Sequence, residues 1–278
     1  MLTLDLPKND NDAALAQIVA RPIWARYKKA WMEAYKSYGQ HNGDPWKVTP
    51  HAFPKTRQKA QRKFYDTRKG YGELASLRST EGIKCCPMCG SQNTGTLDHY
   101  LPRKHYPEFS ILSWNLIPAC PACNSSVKGD RHKGMSSPER FLHPYFDTLA
   151  NQAIWTVKVL APFAAPAFKA EPLPGFSPNE TTIIGFHVKN ILGEQFRLKM
   201  PTLFKGLPQR VRNMMRSLSV LDNHETEMGL RLLLTDVIEA NSPNCWEAAL
   251  LRGVLSDSVA IDYVRGLANL CTLTPLAR

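Results

Sequence analysis

The sequence lacks the features that mark several protein classes. No apolar run in its 278 residues approaches the ~18–20 uninterrupted residues that a membrane-spanning helix needs. The first twenty residues are net acidic, whereas a secretory signal begins with basic residues. Internal repeats and low-complexity tracts are also missing, and the hydrophobic content of 43% is near the average of soluble proteins. We therefore expect a folded, cytoplasmic protein with no membrane partner.

Acidic residues are scarce relative to basic ones. The chain has 24 Asp and Glu against 35 Lys and Arg, a net charge of +11, which favours a polyanionic partner. Residues 21–84 hold 15 basic and 5 acidic residues, so this segment carries +10 of that charge. Composition does not by itself separate nucleic acid from an anionic membrane surface as the partner.

The number of cysteines is odd, which argues against a disulfide framework in a chain without a secretion signal. Five of the seven cysteines lie between Cys85 and Cys123. Two CxxC pairs, Cys86 with Cys89 and Cys120 with Cys123, have the pattern that presents four thiolates to Zn²⁺. We predict one structural zinc, whose coordination by four cysteines leaves no open position for catalysis.

The 30 residues between the two CxxC pairs exceed the about 15–20 of a simple zinc ribbon, so we expect an active site there. Asp98 and His99 end a strand-like segment, and Asn124 directly follows the last cysteine. His99 can act as a general base, since an imidazole ordinarily titrates near neutrality, while Asp98 and Asn124 offer oxygen ligands that suit Mg²⁺ or Mn²⁺. Lys128 lies one helical turn beyond Asn124 and is predicted to contact a substrate phosphate.

This segment resembles the HNH endonuclease family, with its ββα-metal fold. The matched residues are the CxxC at 86–89, the Asp-His pair at 98–99, Pro102, the segment 115–120, and CxxCN followed by Lys128. The resemblance implies hydrolysis of DNA phosphodiester bonds with one divalent cation, leaving 5′-phosphate and 3′-hydroxyl ends. It also implies that Asn115 tethers the loop that orients His99. Other members have His where this chain has Asn124, which we expect to weaken metal affinity without changing the mechanism.

A second, less specific resemblance covers residues 98–130 and points to HNH proteins of bacterial antiphage systems of the Septu type. There the nuclease works with an ATPase partner, which would make the C-terminal half of this chain a docking surface. RNA cleavage is an alternative to DNA cleavage. A zinc-dependent nucleic-acid-binding or scaffold protein without catalysis is the alternative to an enzyme. Asp98, His99 and Asn124 together favour the enzyme, because a purely structural zinc site needs none of them.

Basic side chains outside the metal motif are candidate nucleic-acid contacts. The helix-compatible segment from Lys55 to Lys69 is strongly basic. Such a run is often only a solvated surface, and it can also dock an acidic protein partner. Beside the nuclease-like motif we favour contact with the phosphate backbone. The predicted contacts are Arg57, Lys59, Arg62, Lys63, Arg103 and Lys104.

We predict an α+β protein in three regions. A basic, mainly helical region at 1–84 precedes the ββα-metal nuclease module at 85–147, and an accessory region at 148–278 has strands followed by helices. The first region contains a helix at 10–38 whose aromatic residues, three or four apart, we expect to be buried. The module includes a short helix from Pro121 to Gly129.

The accessory region has a mixed pattern. Segments 153–161 and 181–188 have the β-branched and aromatic composition of strands. The stretch 161–180 holds five prolines, so we predict that it has no regular structure and forms a long connection or an edge. From about Gly206 onward, apolar stripes at three-to-four spacing predict helices.

Overall fold

The computed structural model describes residues 1–68, 70, 72–78, 82–92 and 94–273. Lys69, at the end of the predicted basic segment, lies outside the described residues. The described chain is mixed α+β, as predicted. Its helices are α1 (Asn11–Val19), α2 (Lys28–Gln40), α3 (Lys55–Arg68), α4 (Gly72–Ser76), α5 (Pro178–Ile191), α6 (Glu194–Met214), α7 (Asn223–Ala240), α8 (Trp246–Leu255) and α9 (Ser258–Ala268). Its strands are β1 (Thr96–His99), β2 (Leu116–Ala119), β3 (Trp155–Leu160) and β4 (Ala167–Pro172).

The N-terminal helices bury the predicted aromatic stripe. The side chain of Asp10 caps α1 by accepting a backbone hydrogen bond of 2.8 Å from its first turn. Trp31 donates to the carbonyl oxygen of Glu108 at 2.9 Å, and the Tyr38 hydroxyl donates to Asn115 Oδ1 at 3.1 Å. The buried members of the stripe are Trp24, Trp31, Tyr35 and Tyr38. These contacts confirm the buried stripe and seat α2 on the loop between β1 and β2.

Strands β1 and β2 form an antiparallel pair, with His99 opposite Leu116. A helical segment follows β2 at residues 121–127, and its part Cys123–Val127 is a π-helical turn that packs against β1. Gly129 then adopts a φ of +54°, a conformation that glycine reaches without steric cost and that commonly ends a helix. The short helix predicted here is confirmed, with a wider last turn than an α-helix.

Strands β3 and β4 form a second antiparallel pair, with Trp155 opposite Pro172. β3 confirms the strand predicted at 153–161. The prediction that the proline-rich stretch holds no regular structure is wrong, because β4 and the first turn of α5 lie within it, although β4 is at an edge. Helix α8 packs across β3 so closely that a Cβ on Gly253 would lie 1.8 Å from the carbonyl oxygen of Val157. Only glycine allows this approach of helix and strand.

The strand predicted at 181–188 is wrong, because this segment lies within α5. The Ser177 hydroxyl accepts from the backbone N–H of Glu180, and the Glu180 carboxylate accepts from the N–H of Ser177 at 2.9 Å. This capping box begins the helix, and its isoleucines and Val188 are buried on one face at helical spacing. The helical part of the accessory region therefore begins at Pro178 rather than near Gly206.

One core cluster joins the N-terminal helices, the CxxC pairs and the C-terminal helices. Asn244, fully buried before α8, accepts from the backbone N–H of Ile154 at 2.9 Å and donates to the carbonyl oxygen of Gln152 at 2.7 Å. Trp246 Nε1 donates to the carbonyl oxygen of Cys89 at 2.7 Å. The C-terminal helices thus support the first CxxC pair directly.

Within the described residues, no helix combines the length and apolarity needed to cross a membrane.

Candidate metal centre and active-site cavity

The two CxxC pairs converge on one point. The sulfur atoms of Cys86, Cys89, Cys120 and Cys123 all lie within 4.8 Å of one another, and those of Cys89 and Cys120 are 3.8 Å apart. Four sulfurs at about 2.3 Å from a tetrahedral ion would be about 3.8 Å apart, so this spacing suits zinc. All four residues are buried. This cysteine cluster can hold the predicted structural zinc.

The backbone around the cysteine cluster stabilises thiolates. The N–H groups of Ser91, Cys120 and Cys123 donate to the sulfurs of Cys89, Cys86 and Cys120, at 3.5, 3.3 and 3.4 Å. Thiolates are the form that binds zinc, so the donor groups fit the ion.

The first CxxC turn is fixed by the C-terminal region. Gly90 has a φ of +82°, and a Cβ there would lie 2.3 Å from the carbonyl oxygen of Asn244. His187 Nε2 donates to the carbonyl oxygen of Met88 at 2.7 Å, while its Nδ1 accepts from the N–H of Leu142 at 2.9 Å. Burial lowers the pKa of His187 to about 4, which keeps the ring neutral in this role.

A cavity of about 580 Å³ beside the β1–β2 pair collects the predicted catalytic residues. Asp98, His99 and Asn124 all line it. β1 ends at His99, which allows two consecutive side chains to serve one cavity although a continuing strand would point them apart. The wall of this site cavity also includes Tyr65, Asp66, Arg78, Pro102, Arg103 and Asp130.

His99 is held as a neutral base. Its Nε2 lies 3.0 Å from the carbonyl oxygen of Ser110. Because a carbonyl oxygen only accepts, Nε2 carries the proton and Nδ1 is the basic nitrogen. Burial lowers the pKa of His99 to about 3, which favours the neutral ring. A general base requires this protonation state.

Asn115 is fully buried and holds the loop that contains Ser110. Its Oδ1 accepts from the N–H of Leu101 at 2.7 Å. Its Nδ2 donates to the carbonyl oxygens of Leu101 and Phe109 at 3.0 and 3.2 Å. Since Phe109 immediately precedes the residue whose carbonyl orients His99, these bonds form the tether that the resemblance implies for Asn115.

Lys128 lies at a different place from the one predicted. The sequence predicts a phosphate contact, but its side chain is 0% exposed and its Nζ lies 3.0 Å from Asp98 Oδ2, an ion pair without hydrogen-bond geometry. The same Nζ donates to the carbonyl oxygen of His99 at 2.7 Å. Burial raises the pKa of Asp98 and the Lys128 ammonium opposes that rise. Lys128 therefore acts on Asp98 rather than at the surface.

The predicted contacts on α3 differ in exposure. Lys59 and Lys63 are exposed, whereas Arg62 is half-buried. The guanidinium of Arg57 lies over the ring of Trp24, 5.3 Å from its centroid. The two exposed lysines are the members of this group that are most open to a polyanion.

Arg103 and Lys104 each have a carboxylate partner near the site cavity. Arg103 Nη1 lies 2.8 Å from Asp66 Oδ1, and Lys104 Nζ lies 2.7 Å from Asp130 Oδ2. Both acidic residues line the cavity. A phosphate bound to either cation would have to replace or share these carboxylate contacts.

Two residues of the cavity wall are not predicted from the sequence. The Tyr65 ring stands edge-on to the His99 imidazole, with centroids 4.6 Å apart and an interplanar angle of 71°. Arg78 reaches the same cavity from the turn after α4. The burial of Gln61 and Tyr65, four apart on basic α3, is the signal that this helix packs inward. No local motif marks Arg78.

No protein-family model matches this chain, and no solved structure matches it. The chain is similar to protein ea31 of Escherichia phage lambda, with 25% identity over 225 residues. The aligned part covers 76% of this chain and 70% of the phage protein. The name of the phage protein states no activity.

Proposed function

We propose that the protein is an HNH-type endonuclease that hydrolyses DNA phosphodiester bonds in a ββα-metal site. The observation that carries this proposal is the convergence of Asp98, His99 and Asn124 on one cavity. The cavity lies at the end of an antiparallel strand pair that is followed by a short helix, beside a cysteine cluster suited to structural zinc. A scaffold built only around zinc requires none of these three side chains.

Asp98 and Asn124 would hold one Mg²⁺ or Mn²⁺ through a carboxylate and an amide oxygen. Such an ion stabilises negative charge on the phosphate and on the departing oxygen. Lys128 supports Asp98 in this role, because burial by itself favours the neutral acid. The buried ion pair with Lys128 therefore favours the ionised form of the Asp98 carboxylate, which is the form that would bind the cation.

His99 would activate the attacking water. Its Nδ1 takes a proton from water while the water oxygen forms a bond to phosphorus and the bond to the 3′ oxygen breaks. The departing 3′ oxygen takes a proton from solvent, so the products are a 5′-phosphate and a 3′-hydroxyl. The carbonyl oxygen of Ser110 accepts a hydrogen bond from His99 Nε2 before and after this proton transfer. It therefore orients the neutral ring and stabilises the imidazolium that forms.

The charge of α3 supports nucleic acid as the substrate. The nuclease region itself is almost neutral, whereas residues 21–84 carry +10. Lys59 and Lys63 are exposed on the helix that also contributes Tyr65 to the site cavity. Backbone phosphates bound along α3 would therefore lie next to the proposed active site.

Plasmid cleavage tests the proposal. Zinc-loaded protein is incubated with supercoiled DNA and Mg²⁺ or Mn²⁺, with a chelator control followed by metal add-back and zinc analysis. We expect nicked or linear DNA only with the divalent cation. His99→Ala should lose at least about 10²-fold in rate, because a general base acts in the transition state. Asp98→Ala and Asn124→Ala should lose activity but regain part of it in excess Mn²⁺.

Two outcomes of this assay distinguish DNA from RNA as the substrate, and a nuclease from a non-catalytic protein. Cleavage of RNA but not DNA under the same conditions would change the substrate and keep the chemistry. Absence of metal-dependent cleavage of either polymer, or wild-type cleavage by His99→Ala, would favour the non-catalytic binding or scaffold protein. An ATPase partner and a role in antiphage defence stay predictions from the resemblance. They are tested by co-purification with the neighbouring gene product.

A further inference from the structure

Helix α3 contributes a buried aromatic residue to the wall of the site cavity. Tyr65 is 7% exposed and packs with Leu97 of β1 and Leu116 of β2. Its ring stands edge-on to His99 at 4.6 Å between centroids. The strand pair and the basic helix therefore meet at this one side chain.

The His99 imidazole is restrained from two sides. The carbonyl oxygen of Ser110 holds Nε2 at 3.0 Å, which fixes one atom of the ring but leaves rotation about that bond. The Tyr65 ring packs against the imidazole and blocks this rotation by contact. Together they fix both the position of the ring and its plane, and the direction of Nδ1 with it.

A cation also lies in the same cavity wall as Tyr65. Arg78 and Tyr65 both line the cavity, and burial raises the pKa of Tyr65 while Arg78 opposes that rise. Arg78 lines the cavity, and its Nε is buried without a hydrogen-bond partner. A buried N–H without an acceptor is costly, so a bound acceptor at this place would be favourable.

Two other cations near the cavity have carboxylate partners. Arg103 is paired with Asp66, and Lys128 is paired with Asp98. Across the part of the chain that the structure describes, no carboxylate is paired with Arg78. A guanidinium can bind two phosphate oxygens at once, which suits it to a phosphodiester.

We propose that Tyr65 is a positioning residue that fixes the His99 imidazole through its ring and Arg78 through its hydroxyl, and that Arg78 binds the substrate phosphate in the site cavity. This inference rests on the proposed nuclease function. It makes α3 part of the active site as well as a binding surface for DNA. The two functions of Tyr65 can be separated by substitution, because phenylalanine keeps the ring without the hydroxyl and leucine removes both the ring and the hydroxyl.

Steady-state cleavage by the full chain separates these functions. Tyr65→Leu should lower kcat by about 10²-fold, the scale expected when a reacting group is misplaced by about 1 Å. Tyr65→Phe should keep kcat and raise KM. Arg78→Ala should weaken binding of a phosphorothioate duplex in Ca²⁺ by about 10-fold or more, with partial recovery in Arg78→Lys. Tyr263→Leu is the matched control, because this ring stacks on Phe204 away from the cavity.

A second measurement does not depend on cleavage. The ¹⁵N chemical shifts of the His99 ring should report the Nε2-protonated tautomer in the wild type and in Tyr65→Phe, and a mixture of tautomers or orientations in Tyr65→Leu. Wild-type kcat with unchanged shifts in Tyr65→Leu, or wild-type duplex binding by Arg78→Ala, would overturn this inference while the nuclease function stands. A wild-type protein that cleaves neither DNA nor RNA would overturn the function, and the ring shifts would still test the positioning by Tyr65.

Discussion

Replacing Lys128 by methionine distinguishes a buried counter-charge from a phosphate contact. The Lys128 side chain is 0% exposed and that of Asp98 is 6% exposed, with Nζ 3.0 Å from Oδ2. Methionine keeps most of the aliphatic volume but leaves Asp98 without a counter-charge and the His99 carbonyl without a donor. Removal of one partner of a buried ion pair costs about 3–5 kcal/mol. We expect Lys128→Met to lower the free energy of unfolding by that amount at pH 7.

The pH dependence of this loss has a defined sign. Without Lys128, the pKa of Asp98 rises further, so the carboxyl can be buried without charge once it is protonated. A folded-state pKa above the unfolded one gives stability at low pH that is lost as pH rises. The difference in unfolding free energy between Lys128→Met and the wild type should therefore become smaller as pH falls toward 4, which is about the ordinary pKa of an aspartate.

Urea unfolding followed by tryptophan fluorescence, with saturating zinc and no other divalent ion, measures these effects. Asp98→Asn combined with Lys128→Met should recover most of the loss, because neither charge remains, and the double-mutant cycle gives the coupling energy. Lys205→Met, at an exposed lysine of α6, is the control. Wild-type stability of Lys128→Met together with weaker duplex binding would refute the structural reasoning and restore the phosphate contact.

Three further predictions follow from the cluster, the basic helix and a buried histidine. Cys120→Ser should lose its stoichiometric zinc, measured by metal analysis, and its cooperative unfolding, measured by circular dichroism. Cys271→Ser, outside the cysteine cluster, should keep both. A natively folded wild type without zinc would contradict this prediction. Replacing Arg57, Lys59, Arg62 and Lys63 by alanine should make the salt dependence of duplex binding less steep. The slope of the logarithm of the binding constant against the logarithm of salt concentration should decrease in magnitude by about 2–4. The matched control replaces four exposed cations of α5 and α6, which are Lys189, Arg197, Lys199 and Lys205. Equal salt slopes in the two variants would indicate that α3 contacts a protein partner instead of DNA. Because burial lowers the pKa of His187 to about 4, this ring binds fewer protons in the native state than in the unfolded state between pH 4 and the ordinary value near 6.5. His187 should therefore contribute about 3 kcal/mol to the fall in unfolding free energy as pH drops through this window, in addition to the contribution of other buried histidines such as His99. His187→Gln should flatten the pH dependence of the urea midpoint, and an unchanged slope would exclude a buried neutral ring.

Short-range patterns predicted the parts of the site that local chemistry determines. The spacing of the cysteine pairs predicted a cluster that the structure brings within 4.8 Å. The strand ending in His99 and the short helix after Pro121 follow from residues within a few positions of each other. The tether by Asn115 was implied by the resemblance rather than by local spacing, and its side chain donates to the carbonyl oxygens of Leu101 and Phe109 in that loop.

Longer-range packing decided what the sequence did not show. Lys128 has the same local pattern whether its side chain faces solvent or Asp98, and only the packing of the π-helical turn on β1 selects burial. Tyr65 and Arg78 reach the site cavity through the placement of α3 and α4, which no local motif specifies. In α5, the prediction used the β-branched composition alone and did not consider the capping box of Ser177 and Glu180, which begins the helix.

The hydrogen bond from Trp246 to Cys89 has a consequence for synthesis of the chain. It joins residues 157 positions apart, so a ribosome adding about 5–20 residues per second makes the supporting helix roughly 10–30 s after the first CxxC pair. During that interval the carbonyl oxygen of Cys89 has no donor from Trp246, and that of Met88 has no donor until His187, 99 positions further along the chain, is made. The metal-binding thiols are thus exposed to the cell before the part of the protein that encloses them exists.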